Sequence, residues 1–124
     1  MVTLHDSVRQ KIQQAVATLR RMGVVRAVYL FGSQAEGRAD FWSDIDLAVF
    51  MDEVETWDLP QRARLMAAVQ IEAGWDVEAH LFASRNLDHP EAGSFSEYIV
   101  KHGVCLVRSS DGLDAGKVEF GRAE

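Results

Sequence analysis

Apolar residues recur at helical spacing near the start of the chain. Over residues 6–22 an apolar residue returns every three or four positions, with polar residues between. Positions three and four apart lie on one face of a helix, so the spacing predicts an amphipathic helix. Asp6 or Ser7 can cap its start, and Gly23 can end it. The predicted buried stripe consists of Val8, Ile12, Ala15, Val16 and Leu19.

Four shorter apolar runs follow, and their lengths are typical of strands. They span residues 24–31, 44–51, 75–82 and 104–107. The second run ends in unbroken apolar residues, which indicates a central, buried strand. A helix is predicted between Asp58 and Gly74, with Pro60 tolerated in its first turn, and another over residues 94–102. The predicted order of elements is therefore α-β-β-α-β-α-β.

The length of the chain suits one hydrophobic core. We predict a single domain over residues 1–108 of the 124. Residues 109–124 are rich in glycine and charge and lack sustained periodicity, so we expect a flexible tail. Val118 and Phe120 alternate within that tail, and a short partner-docking strand is the alternative there.

Composition and charge narrow the class of protein. The chain is 48% hydrophobic and 26% charged, as soluble globular proteins are. Its formal net charge of −6 argues against a general nucleic-acid-binding surface, which would carry a basic stripe. The single cysteine, Cys105, excludes an internal disulfide. No apolar stretch reaches membrane-spanning length and the N-terminus lacks a signal-peptide pattern, so we expect a cytoplasmic protein without a membrane partner.

The candidate chemistry lies where the first two strands meet. Gly32 and Ser33 follow the first strand, and after ten residues Asp44 and Asp46 open the second. Side chains two apart in a strand share a face, so the two carboxylates should project together. Carboxylates that close repel each other unless a cation lies between them, and Mg²⁺ prefers such oxygen ligands together with substrate phosphates. Gly32 allows close backbone approach to a phosphate, and Ser33 adds a hydroxyl donor.

These residues resemble the nucleotidyltransferase superfamily related to DNA polymerase beta. Its signature is Gly-Ser, a spacer, Asp-x-Asp and a third carboxylate on a later strand. The resemblance covers roughly residues 24–107, and within the superfamily the chain is similar to the small stand-alone branch, the minimal nucleotidyltransferases. The resemblance implies an α+β, two-layer fold: a mixed sheet of about four strands with helices packed on it.

The resemblance also requires a third carboxylate on the third strand. Residues 74–82 alternate as a strand, so Asp76, Glu78 and His80 should share one face. Glu78 is the first choice for the third acid, in place of the usual Asp, and Asp76 is the second. We predict that His80 is a strand histidine without a chemical role, with contact to a metal or phosphate as the alternative.

Metal-dependent nucleotidyl transfer is the activity that the resemblance implies. Asp44, Asp46 and Glu78 would be the catalytic and metal-binding residues, holding two Mg²⁺ ions, with Mn²⁺ as the alternative. Glu78 could accept the proton of the attacking hydroxyl. ATP is the expected donor of the transferred NMP. The predicted nucleotide-binding residues are Gly32, Ser33 and Ser43.

A second chain is expected to complete the acceptor site, because larger relatives carry an extra domain for the acceptor. The minimal branch is commonly paired with a helical HEPN-domain toxin, and its members can move AMP onto a tyrosine of that toxin. The resemblance thus implies a protein-modifying adenylyltransferase antitoxin. One alternative is a non-catalytic toxin-binding module, in view of Glu78 and of Arg38 lying beyond the family's usual turn position. The other is an aminoglycoside-type, small-molecule nucleotidyltransferase acting as a homodimer.

Overall fold

The computed structural model describes residues 4–40, 43–109 and 118–120, which form one sheet and its helices. The described helices are α1 (Asp6–Met22), α2 (Ser33–Glu36), α3 (Leu59–Ala73), α4 (Arg85–Asp88) and α5 (Phe95–His102), with a 3-10 turn at Val54–Thr56. The described strands are β1 (Val25–Phe31), β2 (Ile45–Met51), β3 (Val77–Ala83) and β4 (Val104–Arg108). The predicted order of the main elements is confirmed.

The sheet is mixed, as predicted, and has the strand order β3-β2-β1-β4. β1 runs antiparallel to both β2 and β4, whereas β2 and β3 are parallel. The parallel pair is possible because α3 carries the chain back between β2 and β3, as parallel neighbours require. The prediction of an α+β fold is therefore confirmed.

Alternation along the strands divides the core between the two faces of the sheet. One face packs against α1 and α3, and Leu19 of α1, Leu47 of β2 and Leu65 of α3 are fully buried in that half of the core. The opposite face carries Phe50 and packs against Ile99 of α5. α4 and α5 are short, so this second face is less extensively covered by helix than the first.

Local signals explain most helix boundaries. The Asp58 carboxylate accepts a hydrogen bond from the Gln61 amide at 2.8 Å and so caps α3. α1 differs from the prediction, because His5 is its N-cap and makes no side-chain capping bond. Asp6 instead lies in the first turn, where its negative charge interacts favourably with the positive end of the helix dipole. The predicted stripe of α1 is buried at Ile12, Ala15, Val16 and Leu19.

Two segments differ from the predicted pattern. β3 begins at Val77 rather than at residue 75, because the Val77 amide closes a turn on the Gly74 carbonyl at 3.1 Å. Residues 84–93, between the third predicted strand and the last predicted helix, contain the short helix α4, which an apolar period cannot reveal over four residues. Among the described helices none combines the length and apolar character that crossing a membrane demands.

Four described residues of the predicted tail contact the folded domain: residues 118–120, and Ser109, whose amide donates to the Arg26 carbonyl at 2.7 Å. The Glu119 amide donates to the Leu106 carbonyl at 2.9 Å, and Val118 packs against the α1 side of the core. The Arg9 guanidinium lies 5.1 Å from the ring centre of Phe120. Residues 110–117 and 121–124 lie outside the described part of the chain, so the boundary at residue 108 and the flexible tail stay predictions.

Candidate active site

The elbow after β1 is built around a glycine that no other residue could replace without strain. Gly32 has φ 75° and ψ −157°, a conformation that is essentially restricted to glycine. A Cβ on Gly32 would also lie only 2.7 Å from Oδ2 of Asp46. The backbone of the elbow and this carboxylate are therefore in close approach, and the predicted contact of Gly32 with a phosphate stays a prediction.

Ser33 begins the short helix α2 directly after the elbow. The Glu36 amide donates to the Gly32 carbonyl at 3.1 Å, and the Arg38 amide donates to the Ser33 carbonyl at 3.0 Å. The Arg38 guanidinium binds the Glu36 carboxylate, with its Nε 2.9 Å from Oε1. Arg38 thus has an acidic partner within its own turn.

Three ligand atoms converge beside the elbow. Asp46 and Glu78 are register partners on the parallel strands β2 and β3, so their side chains leave the same face of the sheet. His80, two residues further along β3, places Nε2 at 3.3 Å from Oδ1 of Asp46 and 3.8 Å from Oε2 of Glu78. One ligand atom from each of the three lies within 4.8 Å of the others. We call Asp46, Glu78 and His80 the acidic cluster.

The electrostatics of the acidic cluster favour a cation. Loss of water around Glu78, followed by the charges of Asp44 and Asp46, raises the pKa of the Glu78 carboxyl. The His80 ring acts in the opposite direction on that pKa. Asp44 and Asp46 thus repel the ionised Glu78 carboxylate, and a bound divalent cation would relieve that repulsion.

The other predicted acids occupy different positions. Asp44 lies just before β2 and is exposed; its charge reaches Glu78, but it is not a member of the acidic cluster. Asp76 lies in the turn before β3, where its Oδ2 is 2.8 Å from Nζ of Lys11. That turn takes Asp76 off the face shared by Glu78 and His80. Of the two candidates for the third acid, Glu78 therefore lies beside Asp46.

Ser43 is tied to the loop before β2. Its Oγ accepts a hydrogen bond from the Asp40 amide at 2.9 Å. Ser43 also lines a cavity of about 600 Å³ on the α1 side of the same end of the sheet, together with Gln34, Trp75 and Asp76. The acidic cluster lies outside this cavity, on the α5 side. A nucleotide-binding role for Ser43 stays a prediction.

For His80 the sequence predicted a strand histidine without a chemical role, with contact to a metal or phosphate as the alternative. Its spacing of two from Glu78 placed it on the correct face, and that was the available signal. The approach to Asp46 depends on the parallel register of β2 and β3, which pairs Asp46 with Glu78 and Ala48 with His80. One strand's own pattern does not contain its register to another strand, so the convergence was invisible in the sequence.

Comparisons with known proteins found a matching family model and similar solved structures. The family model for polymerase beta nucleotidyltransferases matches residues 10–112 of the chain. The chain is similar to a solved structure of a candidate minimal nucleotidyltransferase, at 28% identity and a TM-score of 0.53, over 82% of this chain and 98% of that one. A candidate nucleotidyltransferase from Sulfolobus solfataricus is 18% identical, with a TM-score of 0.47, over 87% of this chain and 92% of that one. Among curated proteins none gives a significant match.

The match extends over most of the chain and includes every strand of the sheet. It also includes the Gly32 elbow and the paired acids Asp46 and Glu78, which the fold brings together. On this combined evidence, the chain belongs to the polymerase beta nucleotidyltransferase family.

Proposed function

We propose that the protein is a divalent-cation-dependent nucleotidyltransferase that moves AMP from ATP to a hydroxyl group of a partner protein. The observation that carries the proposal is the pairing of Asp46 with Glu78 on adjacent parallel strands, against the Gly32 elbow. Family membership supports the general transfer of a nucleotidyl group. ATP as donor and a protein as acceptor are the finer parts of the proposal.

The donor set of the acidic cluster fits a divalent cation. Two carboxylates and one imidazole offer ligand atoms within 4.8 Å of one another, and Gly32 leaves the Asp46 carboxylate unobstructed. Asp46 and Glu78 would hold the cation. Asp44, which was also predicted to bind the metal, is exposed to solvent just before β2. When bound, a divalent cation supplies positive charge that stabilises the negative charge developing on phosphoryl oxygens and on the leaving group.

The chain's own residues account for the other requirements of the transfer. Backbone at Gly32 can lie against the triphosphate because it carries no side chain, and the Ser33 hydroxyl can donate to a phosphate oxygen. The acceptor oxygen would bond to the α-phosphorus as the bond to the β-phosphate oxygen breaks and pyrophosphate leaves. Glu78 would accept the proton of the acceptor hydroxyl.

Exposed aromatic side chains near the acidic cluster support a protein acceptor. Phe95 and Tyr98 of α5 are 52% and 51% exposed. Phe95 packs edge-on against Phe31, which in turn packs against the ring of His80. Aromatic residues are enriched in the cores of protein interfaces, so this surface suits a partner protein whose hydroxyl reaches the acidic cluster. By resemblance to the minimal nucleotidyltransferases, that partner would be a helical HEPN-domain toxin and this chain its antitoxin.

The test is transfer of label from ATP carrying ³²P at its α-phosphate. The chain is incubated with Mg²⁺ or Mn²⁺ and with a co-purified helical partner, and labelled protein is separated on a denaturing gel. We expect label on the partner, and loss of at least about 100-fold in rate with Asp46→Asn, since removing a catalytic electrostatic group typically costs that much. Asp76→Asn is the matched control, because that carboxylate is paired with Lys11 away from the cluster.

Three outcomes separate the competing functions. Label on the partner that disappears with Asp46→Asn supports the proposed transferase. Label on an aminoglycoside without any partner would indicate the small-molecule enzyme. An Asp46→Asn variant that still binds and neutralises the partner, with no label in the wild type, would indicate the non-catalytic binding module.

A further inference from the structure

His80 places an imidazole nitrogen beside the two carboxylates of the acidic cluster. Its Nε2 faces both carboxylates, at 3.3 Å from Asp46 and 3.8 Å from Glu78. The side chain is 39% exposed, so solvent and a dissolved cation can reach the ring. The imidazole nitrogen is thus presented to the same space as the carboxylate oxygens.

The surroundings of His80 hold the ring in this orientation. Its neighbour across the parallel pair is Ala48, whose side chain is too short to separate the ring from Asp46. On another side Phe31 packs against the ring at 5.1 Å between centroids, with the planes inclined by 64°. Phe31 is itself the register partner of Asp46 across β1 and β2, so one ring and one acid are positioned by the same pair of strands.

The chemistry of this donor set differs from that of an all-carboxylate site. Mg²⁺ is a hard cation that demands octahedral oxygen ligands and keeps several waters. Imidazole nitrogen suits later divalent metals, whereas carboxylate and water suit Mg²⁺ and Mn²⁺. Affinities of nitrogen- and oxygen-containing sites rise from Mn²⁺ toward Cu²⁺, so an imidazole ligand favours the metals of this series over Mg²⁺, and Mn²⁺ is the member that also suits carboxylate and water.

We propose that His80 is a third protein ligand of the cation site and makes it select Mn²⁺ over Mg²⁺. This inference rests on the proposed function, because it assumes that Asp46 and Glu78 hold a divalent cation. Asp46, Glu78 and His80 would together supply two oxygens and one nitrogen, and the remaining positions would be left to water and substrate phosphates.

The experiment measures cation binding without reference to activity. Mn²⁺ is titrated into the full chain at about pH 8, where an unperturbed imidazole is neutral. Bound Mn²⁺ is followed by electron paramagnetic resonance, and Mg²⁺ affinity is obtained by competition. Chain labelled with ¹⁵N at histidine then reveals directly, through the nuclear coupling of nitrogen to the Mn²⁺ electron spin, whether an imidazole is bound.

The variants are chosen to separate a ligand from a merely structural residue. His80→Gln should remove the nitrogen coupling and lower Mn²⁺ affinity at least about tenfold, while changing Mg²⁺ affinity less. His80→Asp should convert the site to oxygen ligands and shift the preference toward Mg²⁺. His102→Gln, at an exposed histidine of α5, is the matched control and should leave the nitrogen coupling intact. Circular dichroism would establish that each variant is folded.

The outcomes distinguish failure of this inference from failure of the proposed function. Mn²⁺ that binds through Asp46 without nitrogen coupling, or an unchanged Mn²⁺ to Mg²⁺ ratio in His80→Gln, would overturn the role of His80 and leave the transferase proposal standing. Absence of any cation binding by the wild-type chain would overturn both. Nitrogen coupling that is lost in His80→Gln and kept in His102→Gln would support the inference.

Discussion

Replacing Gly32 by alanine should disturb stability and cation binding through two separate effects. The backbone of Gly32, at φ 75° and ψ −157°, lies in a region that costs a residue with a Cβ about 1–3 kcal/mol. At roughly 3–6 °C per kcal/mol for a domain of this size, the melting temperature should fall by several degrees to well over ten. The second effect is local, because the new Cβ would lie 2.7 Å from Oδ2 of Asp46.

That contact must lengthen, and the Asp46 carboxylate is the group that can move. An ordinary Cβ contact begins at 3.4 Å, so the carboxylate must retreat by about 0.7 Å, more than the roughly 0.5 Å tolerance of a preorganised site. We therefore expect Mn²⁺ affinity to fall by about ten- to a hundredfold in Gly32→Ala, as when the support of a metal ligand is lost. Moving one carboxylate end is cheap in folding energy, so this loss is functional rather than structural.

Gly37→Ala is the matched control for the backbone effect. Gly37 also has a positive φ, 74°, but a Cβ there would meet nothing within 4 Å. This variant should lose about 1–2 kcal/mol of stability, the cost of a left-handed residue, and keep wild-type Mn²⁺ affinity. Denaturant unfolding and Mn²⁺ titration of the two variants would decide the matter. Equal Mn²⁺ affinities for Gly32→Ala and the wild type would refute the claim that the missing side chain of Gly32 leaves room for the Asp46 carboxylate in its cation-binding position.

Two further variants test the electrostatic assignments. Asp76→Asn should lower the free energy of unfolding by at most about 1 kcal/mol, because the ion pair of Asp76 with Lys11 is partly exposed. In a Mn²⁺ titration Asp76→Asn should keep the wild-type affinity, whereas Glu78→Gln should abolish binding. The reverse result would identify Asp76 as the third acid. Asp52→Asn should lower the free energy of unfolding by about 1 kcal/mol at pH 7, since Arg26 binds both oxygens of Asp52. Hydrogen bonding from Arg26 lowers the folded-state pKa of Asp52. The stability that Asp52 contributes is therefore fully present above its unfolded pKa of about 3.9 and is lost as the pH falls through the folded-state pKa. A stability difference between wild type and variant that persists undiminished at low pH would contradict this.

The parts of the site that could be predicted from the sequence are those encoded by short-range pattern. The strand, elbow and returning strand follow from apolar runs that flank Gly32 and Asp46. The helix that separates β2 from β3 follows from Asp58, whose carboxylate caps it, and from Gly74, which ends it. A helical crossover joins parallel strands, so Asp46 and Glu78 are expected on two strands that run in the same direction.

The parts that could not be predicted depend on register and on turns. Alternation gave Asp76, Glu78 and His80 one common face, but a turn that closes on Gly74 removes Asp76 from the strand and brings it to Lys11. The nitrogen of His80 reaches Asp46 only because β2 and β3 pair in one specific register. Hydrophobic pattern determines which face a residue occupies, and it leaves the neighbour on the next strand undetermined.

The central claim is that Asp46 and Glu78, beside the Gly32 elbow, bind a nucleotide through a divalent cation. The most direct test is calorimetric titration of the chain with a non-hydrolysable ATP analogue, in the presence of Mn²⁺ and in its absence, for the wild type and Asp46→Asn. We predict binding by the wild type that requires the cation and is lost in Asp46→Asn. Binding that is indifferent to the cation, or equally tight in the variant, would contradict the claim.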